Sequence, residues 1–181
     1  MRIFLTGAHG TGKTTILNDL KKLNLFKEYK FIDSITSDIV KEKSDFSNHG
    51  KLKEIQTKIF ARSYDAFTEP KIVSSRSMLD VCSYSLSTYK KTNDVHFKII
   101  ADLIESSFDV FKDDIFIYVP IMFNLESKKL RSSDIDFQKE IDSNIKDLLK
   151  KSKYNFYEIQ SLNNRTQEIL DYIDYEKILG C

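Results

Sequence analysis

Apolar residues fall along this chain in short continuous runs, separated by longer stretches where they return every three or four positions. Five runs have the length and the flanking polar residues of buried strands: residues 2–6, 29–33, 71–75, 114–119 and 154–159. Helical spacing predicts helices over 13–23, 51–67, 95–111 and 133–150. In the second of these, Leu52, Ile55 and Ile59 share a face. The third carries Ile99, Ile100, Leu103, Ile104 and Phe108 over a wide arc, which predicts a deeply packed helix. The fourth places Phe137, Ile141, Ile145 and Leu148 on one stripe and opens with Ser133 as an N-cap. Strands alternating with helices predict an α/β fold, a three-layer sandwich around a five-stranded parallel sheet. In such a sheet ligands gather beyond the C-terminal ends of the strands.

The first strand runs directly into GAHGTGKT, residues 7–14, which fits G-x-x-x-x-G-K-[ST] without a gap. Gly7, Gly10 and Gly12 permit positive φ and a close approach of the backbone to phosphate oxygens. The loop residues Gly7, His9, Gly10, Thr11, Gly12, Lys13, Thr14 and Thr15 are the expected cofactor-binding set. A helix starting near Lys13 adds its positive end to that nest. Lys13 is expected to reach the β- and γ-phosphates, and the Thr14 hydroxyl to ligate Mg²⁺. His9 sits within the loop but is assigned no chemistry of its own.

The loop, a second strand ending in an acid (FIDSIT), a helix carrying glutamine (EIQTKIFAR) and a strand ending VSSRSMLDVCSYS together resemble the P-loop kinases of small metabolites. Nucleoside and nucleotide kinases and nicotinamide-riboside-kinase-like ATPases are the nearest in pattern, and the likeness covers the chain to about residue 150. It implies one kinase domain over 1–181 with a small helical lid around 124–134, ATP and Mg²⁺ as cofactors, and a nucleoside or (deoxy)nucleotide as phosphoryl acceptor.

The resemblance also assigns roles to residues. Asp33, after the second strand, is the expected base for the acceptor hydroxyl or a magnesium ligand, with helix capping as the alternative. Arg76 is expected near the transferred phosphoryl group. Related kinases place an acid immediately before this arginine; here Ser75 stands there, and Asp80, about one helical turn later, is a candidate to compensate. Gln56 and Arg62 on the second long helix are candidate readers of a base, since an amide offers both donor and acceptor. Tyr84 and Phe60 are candidates to hold a flat ring, or else are core. In LESKKLRSSDIDF, Arg131 is the expected lid arginine, following Lys128 and Lys129 and preceding Asp134.

Composition narrows the picture further. A formal net charge of +1 gives no global attraction to nucleic acid, which is not an expected partner. No apolar stretch approaches the roughly 20 residues a membrane helix needs, and the first apolar run is too short for a signal peptide. Cys82 and Cys181 stand in no metal or redox spacing, and the three histidines show no ligand spacing, so a cytoplasmic protein without zinc is expected. A homodimer is left open. Five glycines and two prolines among many Lys, Ile, Asn and Ser point to an AT-rich genome such as a phage's. Two other functions stay in view: a regulatory ATPase or switch, favoured by Ser75 in place of the acid, and a kinase of a hydroxylated base in DNA.

Overall fold

The structure, a computed structural model, describes residues 1–33, 35–42, 49–122 and 135–179. The chain order is β1 (Ile3–Thr6), α1 (Lys13–Leu20), β2 (Lys30–Ile32), α2 (Ile35–Glu42), α3 (His49–Phe67), β3 (Ile72–Ser74), α4 (Met78–Thr92), α5 (Val95–Ser106), β4 (Ile115–Tyr118), α6 (Ile135–Ser152), β5 (Phe156–Glu158) and α7 (Arg165–Leu179). Single 3₁₀ turns at Asn24–Phe26 and Phe108–Phe111 lead into β2 and β4.

The strands form one five-stranded sheet in the order β2-β3-β1-β4-β5, and every pairing is parallel. β1 lies at the centre, with Ile3 opposite Val73 on one side and Ile115 on the other. All residues of β1, β3 and β4 are buried, as strands covered on both faces must be. The edge strands β2 and β5 carry exposed residues.

The two-residue period of the strands divides the core. Ile3, Leu5, Ile115 and Ile117 point to the face that α1 and α7 cover with Ile16, Leu17, Leu20, Ile169 and Ile173. Phe4, Phe116 and Tyr118 point to the other, where they meet Ile39, Ile55, Met78, Leu79, Ile100, Ile104, Ile141 and Ile145 from α2 to α6. The result is the expected three-layer sandwich. Among the described residues, no helix is long and apolar enough to cross a membrane.

Two sequence expectations need correction. Ile100 and Ile104 of α5 are buried, but Ile99 and Leu103 are about half exposed, so only one face of this helix is packed. The predicted helix over 95–111 is also two pieces. The Ser106 and Ser107 hydroxyls donate to the Leu103 and Ile104 carbonyls, and the chain tightens into the 3₁₀ turn there. The expected lid around 124–134, with Lys128, Lys129, Arg131, Ser133 and Asp134, lies outside the described residues.

Candidate active site

The chain leaves β1 at Thr6 and turns through the glycine-rich loop into α1. Gly7 has φ 151°, Gly10 78° and Gly12 90°. At Gly7 a Cβ would lie 2.4 Å from the Val119 carbonyl oxygen, so the neighbouring strand excludes any side chain. Gly12 takes the left-handed conformation as the N-cap of α1. The loop carbonyls are pinned from several directions. Lys13 Nζ donates to Gly7 O and Ala8 O at 2.6 Å each. The Thr11 hydroxyl donates to Ala8 O at 3.1 Å. Gln138 Nε2, on α6, donates to His9 O at 2.7 Å, and Arg165, at the start of α7, donates to Thr11 O at 3.4 Å. In a trans peptide the following N–H faces away from each pinned carbonyl, so fixing these oxygens also orients the donors that a phosphate meets.

Beside the loop stand Thr14, Asp33 and Ser75. Thr14 Oγ1 donates to Asp33 Oδ1 at 3.0 Å. Ser75 Oγ lies 2.8 Å from the same oxygen and 3.0 Å from the Asp33 carbonyl, while Ser75 N donates to Ile32 O at 3.0 Å. The serine that replaces the expected acid is therefore bonded to the acid of the next strand. Two cis ligands of one octahedral Mg²⁺ with bonds of about 2.1 Å are separated by about 3 Å. The hard oxygens of Thr14 and Asp33 have that separation and fit the ion. Among the described residues no group of three or more His, Cys, Asp or Glu is gathered as a metal site.

Across the loop, α4 begins with a capping box. The Ser77 hydroxyl caps Leu79 N and Asp80 N, and Asp80 returns to Ser77 N at 2.8 Å. Arg76 precedes this cap, half-buried, with its guanidinium 5.7 Å from the centre of the Tyr84 ring. The Tyr84 hydroxyl lies 2.9 Å from His9 Nδ1, and both rings approach Phe137 of α6, at 5.9 and 5.7 Å. Burial raises the Tyr84 pKa, and the nearby Arg76 charge opposes that rise. His9 and Tyr84 thus join the loop to α4 and α6.

The base-reading candidates are placed differently. Gln56 is buried, and its amide nitrogen lies 2.7 Å from Ser85 Oγ and 3.3 Å from Val81 O, so its donor end is turned into α4. Bidentate recognition of a base by Gln56 requires breaking those bonds. Arg62 is exposed on α3. Phe60 packs near Tyr64 at 6.1 Å between ring centres. Both line an open groove of about 570 Å³ with Ala61, Asp65, Thr68 and Leu103, which includes no loop residue. Asp80 is wholly buried beneath the loop. Sequence reasoning did not find Gln138 or Arg165, whose contacts with the loop span 129 and 154 residues. The capping box did have a local signal, the Ser-x-x-Asp spacing after a strand.

A glycine-rich loop from the central strand of a 2-3-1-4-5 parallel sheet, with Lys13 folded over it and a hydroxyl–carboxylate pair alongside, defines a P-loop protein of the kinase fold. The chain belongs to the AAA domain family, whose model matches residues 2–165. Its fold is similar to that of deoxyadenosine kinase from M. mycoides with bound dCTP, at TM-score 0.65 and 16% identity over 97% of this chain and 100% of that one. It is also similar to the YorR protein of Bacillus subtilis in complex with phosphorylated GDP, at TM-score 0.55 and 16% identity over 98% of each chain. Thymidylate kinase from Ehrlichia chaffeensis shares the fold at TM-score 0.53 and 16% identity, over 99% of this chain and 98% of that one. No curated protein matches the sequence.

Proposed function

We propose that the protein transfers the γ-phosphoryl group of ATP to a hydroxyl of a small metabolite, with a nucleoside or (deoxy)nucleotide as the favoured acceptor. The observation that carries this reading is Asp33, held 3.0 Å from the Thr14 hydroxyl at the edge of the phosphate loop. A carboxylate beside the phosphate loop would be available to a hydroxyl attacking the γ-phosphorus. A hydroxyl acceptor needs a base, whereas a phosphate acceptor is already ionised. Asp33 takes the hydroxyl proton as the acceptor oxygen bonds to phosphorus, and ADP departs with the electron pair of the broken P–O bond. Lys13 moves from its carbonyl partners to the β- and γ-phosphates, while Arg76 neutralises charge on the transferred group. Thr14 and Asp33 would hold Mg²⁺, which would supply charge neutralisation to the phosphates. The lid arginine of this reading is Arg131.

The kinase names among the structures of similar fold support this reading, and so does the bond by which Ser75 braces Asp33. Ser75 also favours a second reading, a regulatory ATPase in which water is the acceptor. The deciding experiment supplies γ-labelled ATP and Mg²⁺ with nucleosides, deoxynucleotides, nicotinamide riboside and shikimate. Label on one acceptor, lost in Lys13→Ala and Asp33→Ala, is the expected result. Release of free phosphate unchanged by every acceptor selects the ATPase.

A further inference from the structure

Asp80 is a fully buried carboxylate that the proposed chemistry does not use. Its oxygens collect donors from three elements. Oδ2 accepts from the Thr6 hydroxyl at the end of β1, and from both the backbone N–H and the hydroxyl of Ser77, each at 2.8 Å. Oδ1 faces the loop, 3.4 Å from Gly7 N and 3.9 Å from Lys13 Nζ. Helix capping accounts for the Ser77 contacts, but not for those to the strand end, the loop and the lysine. Burying a carboxylate is costly unless charge or several donors surround it, and Asp80 has both.

We propose that Asp80 is a positioning residue: it sets Lys13 and the start of the phosphate loop against the N-terminus of α4, and so against Arg76. The inference rests on the kinase reading for its catalytic consequence, though not for its geometry. Lys13 lies between the Gly7 and Ala8 carbonyls at 2.6 Å and the carboxylate at 3.9 Å. When a phosphate draws Lys13 off the carbonyls, Asp80 remains behind it as a fixed opposite charge. Because Ser77 follows Arg76 directly and is bonded to Asp80, the same carboxylate fixes the separation of Lys13 and Arg76. A carboxylate beneath the loop thereby acts through Lys13 and the start of α4, and not through a metal.

The test is Asp80→Asn in the full chain, which keeps size and one acceptor oxygen while removing the charge. Two readouts are used. The first is the ¹⁵N signal of the Lys13 ammonium, assigned by its disappearance in Lys13→Met. The second is the split between Mg·ATP affinity and turnover on the labelled acceptor. The expected result is loss or broadening of the ammonium signal, Mg·ATP affinity within threefold of wild type, and kcat lowered at least tenfold. A lower melting temperature with an unchanged ammonium signal and unchanged kcat per folded molecule shows a helix cap only and overturns the proposal. A wild-type protein that labels no acceptor ends the kinase reading alone. The ammonium signal then decides for Asp80, its loss supporting the placement and its retention overturning it. If Asp80→Asn does not fold, Asp80→Ser, which retains a helix-start acceptor without charge, is judged by the same signals.

Discussion

Gly7 and Asp33 show how differently two residues of one site respond to change. At Gly7 two obstacles act together: the backbone φ of 151°, and the Val119 carbonyl oxygen 2.4 Å from the place a methyl group would take. That carbonyl cannot retreat cheaply, because Val119 N is bonded to Thr6 O at 2.8 Å and holds β4 against β1. Gly7→Ala is therefore expected to lose at least about 2 kcal/mol of stability, together with nucleotide affinity. Urea denaturation checks this, and an unchanged midpoint would count against the steric account. Asp33→Asn, in contrast, keeps an oxygen for Thr14 and Ser75 and should leave stability nearly unchanged. Its turnover should fall by about 10²–10⁴-fold if Asp33 is the base, whereas Ser75→Ala, which removes only a brace, should cost about tenfold or less. The residues legible in the sequence were those whose meaning is local: the contiguous loop, and Asp33 and Arg76 at strand ends. Gln138 and Arg165 reach the loop from distant helices, and no spacing in the sequence announces such contacts.

At the scale of elements, the strands were legible because each is a short apolar run bounded by polar residues, and α1, α3, α5 and α6 because their apolar positions recur. Helix α4 was not predicted over its length. Its sequence, MLDVCSYSLSTYKKT, puts serine at buried positions 83, 85 and 87, where an apolar residue would have marked the packed face. The structure shows what replaces that signal. Ser85 Oγ donates back to Val81 O at 3.0 Å, and Ser83 Oγ crosses to Ile141 O of α6 at 3.0 Å, so these two serines are buried with their hydroxyls satisfied. Such a helix depends on its cap. Ser77→Ala removes the acceptor for two N–H groups and a donor to the buried Asp80, and should cost about 2 kcal/mol or more. Asp94→Ala at the start of α5, where the side chain accepts from His96 N at 3.0 Å, should cost about 1 kcal/mol. Chemical denaturation of both variants checks the order, and a smaller loss at Ser77 would mean that the carboxylate does not depend on it.

The whole molecule stores its weak acids in the layers around the sheet. Burial pushes the Cys82 thiol up to about 12, and its sulfur faces Ala101 O of α5 at 3.8 Å. Burial also raises Tyr118, which donates to Asp142 at 2.5 Å, and Tyr154, whose ring stacks on Phe116 at 4.3 Å and whose hydroxyl donates to Phe108 O. Tyr172, on the opposite layer, is raised for the same first reason. Each group holds its proton more tightly folded than unfolded. The folded state therefore binds more protons through the interval between the two pKa values, and stability must fall as pH rises across it. For Cys82 that interval runs from the ordinary thiol value near 8.5 to about 12. Its slope is at most about 1.4 kcal/mol per pH unit, and the tyrosines add to it above about pH 10. Cys82→Ala loses the thiol's share of that slope but also loses packing at a fully buried position. Wild type should therefore be the more stable protein near pH 7, and the two stability curves should converge as pH rises beyond about 9. Urea midpoints measured from pH 7 to 11 decide it: curves that stay parallel would mean that Cys82 ionises as readily inside the fold as outside, against the effect of its burial.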